Sequence, residues 1–272
     1  MRRYKTTRVV LCFLTGALLA FLTTGCATQQ PERGWGEDAT YKPGWAKVKE
    51  AALHAALSPE TLVPVAGALI FAAGNFDRRT SDWAQAHHPI FGTHNNAESA
   101  SDSLLYALMG EATLTAALTP RGDDPDWVLS KAKGFAVEGL AEALTSGIQS
   151  GTSDLIQRTR PNGGSGSFFS GHASAAFSSE TLANCNLDSI GLQDEWRYPL
   201  QAGNLLLASG VGWARVESGD HFPTDVLVGA AVGHFVSAFI HDAFLGLPQD
   251  SRFHLEIYPN SRGAMAVLSI DF

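Results

Sequence analysis

Cysteine is scarce: the 272 residues contain three, Cys12, Cys26 and Cys185. The first two fall in or at the end of an N-terminal stretch that reads as an export signal. A processed chain then has Cys185 as its one spare thiol, which excludes an intramolecular disulfide. A domain of roughly 240 residues must hold by its core alone, and that length permits a single core of adequate size. Positive charge is short as well. Nineteen Lys and Arg stand against 27 Asp and Glu, and four of the nineteen precede Cys26, so the remainder carries fifteen basic residues against 27 acidic ones, about −12. This balance argues against nucleic acid as a partner. Long apolar runs are also missing. The charge-free stretches 61–76, 198–214 and 226–241 fall short of the ~20 residues that a membrane span takes, and they read as buried helices of a soluble bundle, with an integral membrane form as the alternative. Internal repeats and low-complexity tracts are absent.

What is present begins with Arg2, Arg3, Lys5 and Arg8 ahead of an apolar run, 9–22, followed by Thr23-Thr24-Gly25-Cys26. This is the pattern of a secretory signal with small residues at the cut. The Cys after Gly25 resembles that of a bacterial lipobox, with Thr23 where Leu is usual. The resemblance implies that Cys26 becomes a lipidated N-terminus, and Ala27 after it implies sorting to the outer membrane, facing the periplasm. An uncleaved anchor helix is the alternative, and either reading places the domain outside the cytoplasm.

The organisation that follows is a signal at 1–26, a Pro- and Gly-containing tether at 27–44, a helical domain at 45–250 and a hairpin at 251–272. Apolar spacing predicts helices over 46–57 and 61–76, a break at 77–82, and a polar link at 83–96. The link holds His87, His88 and His94, but it lacks acidic or Cys partners and contains a Pro, so it reads as a solvated loop rather than a metal site. Ser101-Asp102-Ser103 reads as the cap of a helix at 104–118. Asp123-Asp124-Pro125-Asp126 opens a helix at 127–156 that delivers Arg158 and Arg160. A loop is expected at 184–194, a helix at 196–214 that carries Arg215, and a last helix at 223–244 on which His234 and His241 serve packing or solvent contact. Beyond 252, Phe253, Leu255 and Ile257 alternate with polar residues and Pro259 to Gly263 supply a turn, which predicts a β-hairpin. The expected class is all-α, a bundle of about six core helices with that hairpin at its end.

The chemistry sits in two stretches. In Arg215-Val-Glu-Ser-Gly-Asp-His221-Phe-Pro-Thr-Asp225, Pro223 suits the first turn of a helix and leaves His221 just outside it. Asp225, in the first turn, can reach back and accept a hydrogen bond from one imidazole nitrogen. A buried His beside a capping Asp is the plain structural alternative. The second stretch runs from Arg158-Thr-Arg160-Pro161 through a Gly-rich loop to Ser170-Gly171-His172 at a helix start. Backbone N–H groups at such a start favour a phosphate-like anion. Two imidazoles can divide the work at one phosphorus, one attacking and the other protonating the leaving oxygen.

Arg160-Pro161, then Ser170-Gly171-His172, then Arg215 with His221 six and Asp225 ten residues on resemble the three signature motifs of the type 2 phosphatidic acid phosphatase / vanadium haloperoxidase superfamily, K-x6-R-P, P-S-G-H and S-R-x5-H-x3-D. The resemblance implies a helical bundle of the acid phosphatase/haloperoxidase type and a metal-independent phosphatase acting on a phosphomonoester, pyrophosphate or lipid phosphate. In that scheme His221 is the nucleophile, Asp225 orients it and His172 is the proton donor, while Arg160, Arg215, Ser170 and Gly171 bind phosphate. Phe169 and Ala214 replace a Pro and a Ser of the pattern, and Ser153 stands where the first motif has Lys. Arg158 is the nearest side chain to supply that missing charge, with Lys131 and Lys133 behind it. No cofactor is implied; vanadate would be one only in a haloperoxidase, the enzymatic alternative. The non-enzymatic alternative is an envelope protein that keeps the fold and binds a lipid headgroup.

Overall fold

The computed structural model describes residues 33–166, 168–245, 253–260 and 263–270. The signal, the expected cut and Cys26 lie outside the described residues. The helices are α1 (Trp45–Leu57), α2 (Pro59–Ala72), α3 (Phe76–His87), α4 (His94–Leu118), α5 (Trp127–Ile156), α6 (Gly171–Ile190), α7 (Asp194–Glu217) and α8 (Pro223–Leu245), with a short 3-10 turn at Ala73–Asn75. Two antiparallel strands, β1 (Phe253–Asn260) and β2 (Gly263–Ile270), pair from Phe253 opposite Ile270 to Asn260 opposite Gly263.

Helix α8 is the hub, packing on α6, α2, α5 and α1. Its uncharged run 226–241 is the buried helix that composition predicts, with Val226, Ala230, Ala231, Val236, Ala238 and Ile240 among its buried positions. One core cluster joins Ala112, Ala141, Leu182, Ala183, Val236 and Ile240, and a second joins Leu105, Leu108, Ala176, Ala208 and Val211. Side chains this small draw the helices close. A Cβ on Gly229 would lie 2.8 Å from the Ser170 carbonyl oxygen, and one on Gly233 would lie 2.2 Å from that of Ser174. Only glycine lets the first turn of α6 rest on α8, and this contact brings the two chemical stretches together.

Several boundaries differ from expectation. The break after α2 falls at Gly74 and Asn75, both left-handed (φ 69° and 64°), and residues 77–82 are helical within α3. Helix α4 starts at His94 with Thr93 as its cap, accepting from the Asn96 N–H, so Ser101, Asp102 and Ser103 are mid-helix. The loop expected at 184–194 shrinks because α6 continues to Ile190 and ends on a left-handed Gly191. Part of the expected tether is anchored. Trp35 is 2% exposed and clusters with Ala116 and Leu245, its N–H donates to the Pro120 carbonyl (2.9 Å), and the Thr40 N–H donates to the Phe244 carbonyl (2.8 Å). Stretch 61–76 differs most. Leu62, Val63, Val65, Leu69, Ile70 and Phe76 are exposed, so its apolarity does not serve the core.

Candidate active site

Helix α5 ends at Ile156, and Gln157 closes it in a left-handed conformation (φ 40°), donating its N–H to the Ser153 carbonyl (3.1 Å). The chain then turns through a Gly-rich loop in which the Arg160 N–H donates to the Gly164 carbonyl (2.7 Å), and Gly163 and Gly166 take positive φ. This loop aims two arginines at different carboxylates. Arg158 donates to Asp225 Oδ1 (2.5 Å) and Asp77 Oδ2 (2.8 Å), and its guanidinium lies 4.2 Å over the Phe222 ring. Arg160 lies 3.4 Å from Asp220 Oδ1.

Asp220 ties the motifs together. Its Oδ1 also accepts from Asn162 Nδ2 (3.1 Å), while Oδ2 accepts from the Ser218 hydroxyl (2.7 Å) and pairs with Arg215 Nη2 (2.9 Å). Burial alone would raise its pKa, but the Ser218 hydroxyl, Arg215 and Arg160 outweigh burial and hold it below the ordinary value. Burial lowers the Arg215 pKa; Asp220 opposes this and Arg160 adds to it. Two guanidiniums close enough to repel, with one carboxylate between them, form a cationic focus suited to a multiply charged anion.

Asp225 departs in part from its expected role. It occupies the third position of α8, and its Oδ2 accepts the Phe222 N–H (2.9 Å), as the reciprocal arm of a capping box does. His221 Nδ1 lies 3.9 Å from the same oxygen, an ion-pair distance rather than the expected hydrogen bond. The imidazole is buried, 4% exposed, and the His221 N–H donates to the Arg215 carbonyl (3.2 Å). The Ser170 N–H donates to the Asp225 backbone carbonyl (3.0 Å), so the starts of α6 and α8 are directly joined. The Ser170 hydroxyl caps α6 by accepting the Ala173 N–H (3.3 Å). At Gly171 a Cβ would crowd Gln149 (3.3 Å), whose amide donates to the Phe169 carbonyl (3.0 Å). His172 Nε2 meets Asp102 Oδ1 on α4 (2.9 Å), and Asp102 also acts electrostatically on Arg215.

Arg158 and His221 therefore meet at Asp225, Arg160 and Arg215 meet at Asp220, and the Ser170 to Asp225 backbone bond sets Ser170, Gly171 and His172 at the start of α6 beside them. Sequence reasoning missed Asp220, Asp102 and Asp77. Asp220 adjoins His221 inside the motif, which was a readable signal; the other two come from distant helices and gave none. Lys131 is placed elsewhere: its ammonium donates to the Ala116 (2.8 Å) and Thr119 (2.6 Å) carbonyls at the end of α4. Ser153 faces the Gly-rich loop, its hydroxyl 3.3 Å from where a Cβ on Gly166 would be. His87, His88 and His94 are not gathered. His87 Nδ1 bonds the Trp83 carbonyl (2.8 Å), His88 ends α3, and His94 Nδ1 bonds the Ser218 carbonyl (2.6 Å).

No curated protein matches the chain. Among solved structures it is similar to the transmembrane PAP2 type phosphatidylglycerolphosphate phosphatase from Bacillus subtilis, at 19% identity and a TM-score of 0.49, over 66% of this chain and 92% of that one. The family model described as PAP2 superfamily matches residues 143–246, the stretch that holds all three motifs and both histidines. That segment, which runs from the last turns of α5 to the end of α8, is what the chain has in common with the PAP2 superfamily.

Proposed function

We propose that the chain is an envelope phosphatase working through a phosphohistidine. The match of residues 143–246 to the PAP2 superfamily model supports phosphatase-type activity in general. The observation that carries the finer reading is the joining of two histidines, each beside a carboxylate, at two helix starts held together by the Ser170 to Asp225 backbone bond.

With Nδ1 of His221 on the Asp225 side, Nε2 attacks phosphorus and the phosphorus–oxygen ester bond breaks. His172 gives its proton to the departing oxygen, and Asp102 holds the imidazole that does so. Water then attacks the phosphohistidine, His172 takes its proton, and phosphate leaves with His221 regenerated. Arg160, Arg215 and the first-turn amides of α6 hold the non-bridging oxygens, where charge gathers. The expected outcome is turnover of a chromogenic phosphomonoester or a lipid phosphate that resists EDTA. Inhibition by EDTA that zinc or magnesium reverses would sink the metal-independent scheme, and no turnover on any phosphate would favour the headgroup-binding protein.

The membrane attachment proposed for Cys26 rests on the lipobox-like sequence. Several acyl chains are needed for stable anchoring, and a triacylated Cys26 would supply them. Mass spectrometry of the mature chain is expected to show that modification; an unmodified Cys26 at a mature N-terminus overturns it.

A further inference from the structure

Among the described residues two helical stretches are long and apolar enough to cross a membrane, Pro59–His87 and Pro223–Leu245. The apolar window of the second is 67% buried and that of the first only 6%. The first is no straight rod, because the left-handed pair Gly74 and Asn75 breaks it. Helix α2 alone has 14 residues, about 21 Å of rise, against a hydrocarbon core of about 30 Å. It is too short to span, and it presents Val63 (69% exposed), Leu69 (68%) and Ile70 (64%) along with Leu62 and Val65.

We infer that this face of α2 lies in the surface of a lipid bilayer, with the active site at the rim of the contact. Two observations choose a bilayer as the occupant. First, the face is charge-free from residue 61 to Phe76 and then meets the exposed Arg78 and Arg79, the latter 5.7 Å over the Phe76 ring. An apolar face edged by arginines matches acyl chains edged by anionic headgroups. Second, the face runs into the site. Asp77, next to Phe76, pairs with Arg158 and accepts the Thr224 N–H (2.8 Å), and Leu155 and Ile156, exposed at the end of α5, precede Arg158 by three and two residues. The placing of a lipid phosphate at this rim rests on the phosphatase reading proposed above.

The geometry sets α2 flat in one leaflet and puts a lipid phosphate at the height of the arginines, so that a membrane-borne substrate reaches His221 by lateral movement. The test uses the full chain with an environment-sensitive fluorescent amino acid in place of Leu69, or of Leu206 on α7, which is equally bare at 73% exposed. Each is mixed with vesicles of phosphatidylethanolamine and phosphatidylglycerol that contain nitroxide-labelled acyl chains, and flotation reports attachment separately. The expected result is at least twofold stronger quenching at position 69 than at 206. Equal quenching at both positions overturns the inference. So does a position-69 probe shielded from water but untouched by the nitroxide lipids, which would show a second copy on this face, and so does failure to float.

An activity arm separates this inference from the phosphatase reading. Leu69→Asp with Ile70→Asp is expected to lower hydrolysis of vesicle-embedded phosphatidic acid at least tenfold and to leave a soluble phosphomonoester unchanged. An equal loss on both substrates, or on neither, counts against the inference. If the parent chain hydrolyses neither, the phosphatase reading fails and the fluorescence still decides where α2 lies.

Discussion

Helix α8 carries two histidine clusters, and they behave oppositely. Just before its start, His221 sits among arginines and carboxylates that are cross-linked by ion pairs, as Arg158, Arg160, Arg215, Asp220 and Asp225 show. Further along, His234 has both ring nitrogens taken by hydroxyls, Ser58 Oγ at 2.9 Å and Thr181 Oγ1 at 2.8 Å. Asp242 there lies between His54 (3.2 Å) and His241 (3.4 Å), and nearby Glu138 and Glu180 are pushed up by burial to about 7. Burial alone would lower His241, but Cys185 and Asp242 raise it well above the ordinary value. An imidazole with both nitrogens engaged is a structural cross-link, whereas one set among guanidiniums suits the chemistry on an anion proposed above. Residue type does not separate these cases; the partners do.

The sharpest way to break this contrast is to delete each histidine. His221→Ala is expected to lower phosphate hydrolysis by on the order of 10⁴ or to abolish it, with little change in melting temperature. His234→Ala is expected to leave turnover within a few-fold but to cost about 1–3 kcal/mol of stability, because Ser58 and Thr181 lose their partner in a buried place. Near-parental turnover in His221→Ala, measured beside a melting curve, would show the assignment to be wrong.

A pH titration sharpens the same contrast. A carboxyl whose pKa is higher folded than unfolded stabilises the fold while protonated. For Glu138 and Glu180 that contribution is complete below about 4.5 and is lost as the pH rises through about 7. Each is worth about 3 kcal/mol by linkage. His234, held low by burial, acts in the opposite sense below 6.5. Chemical denaturation of the parent and of the Glu138→Gln, Glu180→Gln double variant between pH 5 and 8 therefore isolates the carboxyls, and the parent is expected to lose stability relative to the variant as pH rises. Parallel curves would refute the shift. Asp220 and Asp242, held below the ordinary 3.8, lose their contributions only at more acid pH.

The smallest effect is expected from Ser153→Lys. Arg158, the candidate for the missing charge, is already paired with Asp77 and Asp225. A lysine from the last turn of α5, where a cation suits the helix dipole, would add a charge-assisted bond of roughly 1.5–3 kcal/mol, about 10- to 150-fold in vanadate affinity. If vanadate inhibition is unchanged in Ser153→Lys but lost in Arg158→Ala, Arg158 fills the role despite its two carboxylates.

The site was legible where its chemistry is compressed into short spans. Arg215 to Asp225 and Arg158 to His172 could be read because turn residues and helix starts fix their local geometry. The acidic partners could not, because Asp102 and His172 are seventy residues apart and their pairing is decided by how α4 packs on α6. Helix boundaries failed for a related reason. The charged 77–82 looked like a break, yet Asp77 and Ser81 face inward and the stretch folds as a helix with a polar face. The apolar 61–76 looked like core, but exposure depends on which neighbours cover a helix, and that information is tertiary.

The glycines of α8 carry a further consequence. Neither Gly229 nor Gly233 touches a reacting group, yet the absence of their side chains sets how near the start of α6 can come, and so how far His172 stands from His221. The spacing of the two imidazoles is gauged one to three helical turns along α8 from the chemistry. A single methyl at position 233, where the nearest atom is backbone, would work as a shim that parts the two imidazoles while every residue in the site keeps its identity.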